Sequence, residues 1–241
     1  MARSRRHPAA RPSPPRRHPA ARPSPPRRAL PPHAAVAATY ARSAARFDAR
    51  RNRLLFERGW LYRFLLALPA RPAVLDLGCG AGEPIARYLV ERGCRLTGVD
   101  VAPAMIARCR RRFADHAWRV GDMRRLDLAR RFDGLIAWDS FFHLDPRGQR
   151  RAVATFARHA EPGAALLFTT GPAAGEATGR AADAPIYHAS LDPAAYRALL
   201  ARHGFAVLAH VPEDPSCDHH TVWLARRVRG PGETAHDRAS R

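Results

Sequence analysis

The sequence predicts an α/β domain built on a doubly wound sheet, and three observations carry that prediction. Seven short apolar runs, at 73–77, 96–99, 117–120, 134–137, 165–168, 205–210 and 221–225, read as strands. Stretches of helical length separate most of them, the βαβα order that covers a sheet on both faces. Helix starts are marked chemically. Asp145-Pro146 and Asp192-Pro193 each set a capping carboxylate before a proline suited to the first turn, and Pro103 does the same after Ala102.

The elements follow in order from an unusual start. Residues 5–15 read RRHPAARPSPP, and 16–26 repeat them letter for letter. Ten prolines in the first 35 positions, each without an amide donor, exclude helix and strand, so a disordered arm is expected over 1–35. Apolar periodicity begins near Ala34. Leu54, Leu61, Leu65 and Leu68 recur at helical spacing and predict one amphipathic helix over 48–68. The strand-helix units come next, so the folded domain is expected at 36–226, with a flexible tail over 227–241. Residues 171–190, rich in alanine and glycine, read as loop. Tyr187 and His188 within it either line a lid or, the favoured reading, simply lead into the helix at Pro193.

Composition restrains the functional reading. The 241 residues carry 41 basic and 21 acidic side chains, net +20, yet every basic side chain is arginine. Abundant arginine, alanine and proline read as drift in a GC-rich genome, which weakens the inference from charge to a nucleic-acid partner. Nine arginines and no acid fall in residues 1–35, leaving a body of only +11. Weak contact of the arm with phosphate stays open. No apolar run reaches the roughly 18 residues of a membrane span, and no secretory signal is evident, so a cytoplasmic protein without a membrane partner is expected. Cys79, Cys94, Cys109 and Cys217 follow no framework spacing and are expected as reduced thiols.

The chemistry concentrates after the first strand. Residues 74–84 read VLDLGCGAGEP: an apolar strand enters Gly78, Gly80 and Gly82, and a helix is expected over 85–90. Glycine serves where the turn is tight and a ligand approaches the backbone, and the helix terminus beyond favours an anionic group. A dinucleotide site would want its third glycine where Glu83 stands. Asp76 lies in the strand end, and Asp100 closes the second strand in LTGVD, where a carboxylate can accept both hydroxyls of a ribose.

VLDLGCGAG, GVDVAPAMI, VGDMRRLDL and FDGLIAWDSFFHL, in this order, resemble the successive motifs of the class I S-adenosylmethionine-dependent methyltransferases, in particular the bacterial small-molecule enzymes. The resemblance spans about residues 40–226. It implies a Rossmann-like seven-stranded sheet of order 3-2-1-4-5-7-6 with the last strand antiparallel, S-adenosyl-L-methionine as cofactor, and a small-molecule acceptor. By the same resemblance Asp76, Gly78, Cys79, Gly80 and Gly82 would surround the methionine moiety, with Cys79 packing in the loop. Asp100 would bind ribose, Val101 would pack on adenine, Asp122 and the amide of Met123 would contact its edge, and Trp138 would border the methionine end.

Methyl transfer from a sulfonium needs a lone pair about 3 Å from the methyl carbon and opposite the sulfur, so positioning can supply most of the catalysis. A base is required only if the acceptor must lose a proton. His143 and Asp139, after the fourth strand, are the candidate catalytic residues. His143 equally suits packing beside Phe141 and Phe142. The acceptor pocket is expected from Tyr40 and the first helices, residues 138–144 and residues 171–190. Cys217-Asp218-His219-His220 lacks the spacing of a zinc site, and no metal is expected. A nucleic-acid-associated methyltransferase and a non-catalytic S-adenosylmethionine-binding protein remain the alternatives; acceptor atom and oligomeric state are not encoded legibly.

Overall fold

In the computed structural model, residues 32–181 and 184–228 are described. Five parallel strands form the centre: β1 (Ala73–Leu77), β2 (Arg95–Asp100), β3 (Ala117–Val120), β4 (Phe132–Ala137) and β5 (Ala160–Thr170). With β8 (Phe205–Asp214) and β9 (His220–Arg227) they make one seven-stranded sheet of order β3-β2-β1-β4-β5-β9-β8. β9 runs antiparallel between β5 and β8, so the expected order and the reversed last strand are both present.

Both faces of the sheet are buried, because successive side chains of a strand point to opposite sides and here both sides are apolar. Leu75, Leu77, Leu135 and Leu166 meet α5 (Pro146–His159) and α6 (Pro193–Arg202) through Phe156, Tyr196 and Leu200. Val74, Ile136, Leu167 and Leu224 meet α2 (Arg58–Leu66), α3 (Ile85–Glu91) and α4 (Pro103–Arg112) through Phe64, Leu89 and Ile106. Asp145 and Asp192 cap α5 and α6 as expected, accepting from the amides of Gly148 and Ala194.

Three expectations are corrected. The helix over 48–68 is two helices, α1 (Pro32–Arg50) and α2. Between them Asn52 accepts from the Leu54 amide, and Leu55 turns to a φ of 52°, local turn chemistry that overrides the leucine spacing. Leu54 is consequently 82 % exposed. α1 also begins inside the expected arm, at Pro32, where a proline costs little because first-turn amides have no helical partner. The whole duplicated segment at 5–26, the remainder of the arm up to residue 31, and the tail beyond Val228 lie outside the described residues.

Residues 171–190 are no loop. They form an antiparallel hairpin, β6 (Gly175–Ala181) with β7 (Ala184–Ser190). Small side chains give no alternation to read, and the ribbon is supported from outside its own sequence. Val36 and Tyr40 of α1 pack on Ile186, Tyr187 and Ala189. No described helix is long and apolar enough to cross a membrane.

Candidate active site

β1 and β4 are neighbours although β2 and β3 come between them in sequence, so the chain diverges at the carboxyl ends of these two strands. A crevice opens there in doubly wound sheets. Here it is a cavity of about 530 Å³. Its lining includes Asp76, Gly78, Cys79, Gly80, Gly82, Asp100, Val101, Asp122, Met123, Trp138, Asp139 and His143, so the structure gathers all twelve sequence-derived candidates around one space.

The glycine loop is shaped by its own backbone. The amides of Gly78 and Cys79 both donate to the Val99 carbonyl, at 2.7 and 3.1 Å, tying the loop to β2. Gly78 has a φ of 78°, and a Cβ there would collide with the Ser140 side chain, whose hydroxyl donates to the Leu77 carbonyl at 2.7 Å. Only glycine satisfies both demands. Asp100 closes the other side of the loop: one carboxylate oxygen accepts from the Gly80 amide at 3.0 Å and the other from the Ala102 amide at 2.8 Å. Each oxygen keeps acceptor capacity for a diol.

The carboxylates differ in state. Burial, then the neighbouring Asp100, pushes the Asp76 carboxyl up to about 7. Among the described residues no donor bonds its carboxylate. Burial likewise raises Asp100. Burial would raise Asp122 too, but Arg124, which donates from its amide and its guanidinium, holds that carboxyl below the usual range. Val101 lies 40 % exposed on the cavity wall, a surface a flat apolar ring can cover.

The other half of the cavity is walled by α1, the turn after β4 and the hairpin. His143 is buried in a 3-10 turn (Phe141–His143). Its Nδ1 lies 3.0 Å from the Tyr187 carbonyl oxygen, which can only accept, so Nδ1 carries the proton and Nε2 the lone pair. Tyr40 therefore donates its hydroxyl to Nε2, at 3.0 Å. Burial pushes the His143 pKa down to about 4, so the ring is neutral at physiological pH. The ring is buried and still faces the cavity.

Asp139 has a φ of 48° and is committed to partners. It accepts from His220 Nε2 at 2.8 Å and Arg51 Nη1 at 3.2 Å. These outweigh burial and hold its carboxyl below the ordinary value. Arg51 and His220 were missed in sequence. Arg51 sits in the break between α1 and α2. His220 opens β9, whose antiparallel run brings its first residues beside the end of β5; only the reversed strand carried that signal. His188 and Ile186 of the hairpin also line the cavity, so the favoured reading of this stretch as a mere lead-in to α6 is corrected. Phe142, His143 and His188 make mutual ring contacts at 4.8–4.9 Å.

Comparison with known proteins agrees with this geometry. Residues 74–163 match the family described as methyltransferase domain. The chain is 34 % identical over 139 residues to the malonyl-[acyl-carrier protein] O-methyltransferase of Enterobacter lignolyticus, covering 56 % of this chain and 53 % of that protein. It is 31 % identical over 101 residues to the dTDP-3-amino-3,4,6-trideoxy-alpha-D-glucopyranose N,N-dimethyltransferase of Streptomyces venezuelae, covering 41 % and 42 %. The matches thus span about half the length of these curated relatives. Among solved structures, the S-adenosylmethionine-bound amino pentose methyltransferase CalS10 of Micromonospora echinaspora superposes with a TM-score of 0.61 at 21 % identity, over 78 % of this chain and 96 % of that one.

Proposed function

We propose that this chain, a member of the class I S-adenosylmethionine-dependent methyltransferases, transfers a methyl group from S-adenosyl-L-methionine to a small-molecule acceptor by direct displacement. One observation carries the reading: Asp76, Asp100 and Asp122 converge with the glycine loop on a single cavity at the carboxyl edge of the sheet. The cofactor supplies a methyl group on a sulfonium that is already a good leaving group. The residues fit it. Asp100 offers two acceptor oxygens to the ribose, Val101 a flat wall to the adenine, and Asp122 with the Met123 amide an edge contact. Asp76, without a donor of its own, suits the amino group of the methionine moiety, beside Cys79 and the loop amides; Trp138 borders that end.

On the acceptor side His143 and Tyr40 work as a pair. Nε2 of His143 is the basic atom, and its tautomer is fixed by the Tyr187 carbonyl. A base this weak does not ionise an alcohol beforehand; as the new bond to carbon forms, Tyr40 passes its hydroxyl proton to Nε2 and takes up the acceptor's proton on its own oxygen. Asp139 acts differently from the sequence expectation, as an anchor for the wall, since His220 and Arg51 occupy its carboxylate. The catalytic unit is read as 32–228 in place of the expected 36–226, because α1 begins at Pro32 and β9 runs to Arg227. Four unpaired thiols, Cys79, Cys94, Cys109 and Cys217, support a cytoplasmic site of action.

The test is a thermal shift of the full chain with S-adenosylmethionine, S-adenosylhomocysteine and NAD. At ~100 times its dissociation constant a ligand of the native state adds about 2.7 kcal/mol. A rise with the first two alone supports the cofactor; a folded chain that responds to neither overturns it. Turnover with a panel of amino sugars, phenols and carboxylic acids then separates an enzyme from a binding protein.

A further inference from the structure

The segment Cys217-Asp218-His219-His220, unsuited to a metal by spacing, delivers a different element. His220 Nδ1 lies 2.9 Å from the Cys217 carbonyl oxygen and 3.2 Å from that of Asp218, while Nε2 lies 2.8 Å from Asp139 Oδ1. Carbonyl and carboxylate oxygens accept and do not donate, so a ring satisfied on both sides carries hydrogen on both nitrogens. Aromatic faces flank it: Trp138 stacks at 5.6 Å and 24°, and Phe56 lies at 5.1 Å and 31°. A cation against an aromatic ring is favourable.

We propose that His220 is a positioning residue kept as an imidazolium, which clamps Trp138 and Asp139 and so holds the cavity wall in its cofactor-receiving shape. The wall is linked through Asp139 to Arg51, and Arg51 Nη2 stands 3.9 Å from the buried, otherwise unbonded Glu57. Asp139 sits in the left-handed region, which a non-glycine residue keeps only when its partners over-determine it. The inference rests on the reading of Trp138 as the border of the methionine end.

The ionisable groups around His220 come from several elements. Asp139 faces it from the turn after β4. Arg51 and Glu57 stand at the break between α1 and α2. Cys217 belongs to the turn before β9, and Glu176, His188, Glu213, Asp218 and His219 share with His220 a second hollow. Burial, aided by Glu57, Asp214 and Asp139, pushes the Cys217 thiol up to about 12, so it stays uncharged. Burial opposes the charge on His220, but Asp139 and the two carbonyls outweigh it and raise the ring to about 8. The clamp is therefore charged at neutral pH and released as pH rises through that value.

The experiment follows tryptophan fluorescence of the chain without cofactor from about pH 6 to 10, since an imidazolium quenches a stacked indole. A brightening centred near pH 8 is expected, absent in His220→Gln and in Trp138→Phe. In the other stacked histidine–tryptophan pair among the described residues, His210 on Trp223 at 3.6 Å, the histidine has a lowered pKa and responds at lower pH. In parallel, His220→Gln, checked for an intact melting transition, should bind S-adenosylmethionine about tenfold more weakly at pH 7, with the wild type approaching it near pH 9.5. No brightening, or brightening that persists in both variants, overturns the imidazolium. Equal affinity of variant and wild type at pH 7 overturns the positioning role. A wild type that binds no S-adenosylmethionine at any pH, yet brightens near pH 8, overturns the cofactor reading and the positioning role with it, while the imidazolium stands.

Discussion

The two halves of the cavity are built on different principles. The half under β1, β2 and β3 is made by backbone: amides of Gly78, Cys79 and Gly80 are fixed by Val99 and Asp100 within a stretch of 23 positions, 78–100. The half under α1, the hairpin and β9 is made by side chains that meet across the fold, Tyr40 with His143, Arg51 and His220 with Asp139. A backbone site needs particular residues at fixed spacing, whereas a side-chain site needs only that distant residues arrive together.

That contrast sets the expected size of perturbations. Asp100→Ala should be the largest, because it removes the acceptor of two loop amides together with the proposed ribose contact. Charged hydrogen bonds are worth about 1.5–3 kcal/mol each, so affinity for S-adenosylmethionine should fall by roughly 100-fold or more by calorimetry, with the far-ultraviolet spectrum unchanged. Unaltered affinity would remove Asp100 from the site.

His143→Ala should act on the other half alone. It is expected to lower kcat by about 100-fold, the low end for a positioned acid or base, while cofactor affinity stays within about twofold. A parallel loss of both would erase the distinction between the halves.

Asp76→Asn sharpens the comparison through pH. The folded pKa of about 7 lies above the 3.8 of a free aspartate carboxyl, so the folded state holds a proton that the unfolded chain gives up. This contribution to stability is complete below about 3.8 and is lost as pH rises through about 7. The amide mimics the protonated acid. The variant should therefore melt above the wild type at pH 8, the gap shrinking toward pH 4, while binding the cofactor more weakly. A constant gap across that window would place the Asp76 carboxyl in water.

The smallest effect is expected from deleting residues 1–31, which leaves Pro32 to start α1: melting temperature and cofactor affinity should both be unchanged. A loss of either would assign the arginine-proline segment a place against the body.

Legibility in the sequence follows the same division. β1 and β3 begin and end where the apolar runs do, and the prolines after Ala102, Asp145 and Asp192 mark their helices, because propensity and capping are local. Asp76 and Asp100 were legible because the glycine loop fixes their distance along the chain. The hairpin was not, since glycine and alanine carry no period and its support comes from Val36 and Tyr40. Nor was the break at Leu55, where an Asn52 turn overrode a regular leucine pattern. His220 stood beside Asp218 and His219 as part of a supposed metal question, and only the reversal of β9 turned it toward Asp139.

α1 roofs the cavity, yet the bonds that fasten it reach far along the chain: Asp48 to Arg112 across 64 positions, Tyr40 to His143 across 103 and, one residue past its end, Arg51 to Asp139 across 88. Contacts of that span form only after long loops have closed. The helix that leaves the ribosome before the strands of this sheet must then wait for the turn after β4 and for the hairpin before these bonds can form. Run backwards, the same dependence makes α1 the piece that can lift off while the sheet stays whole, and amide exchange along Tyr40–Arg50 should outpace that of β1 and β4.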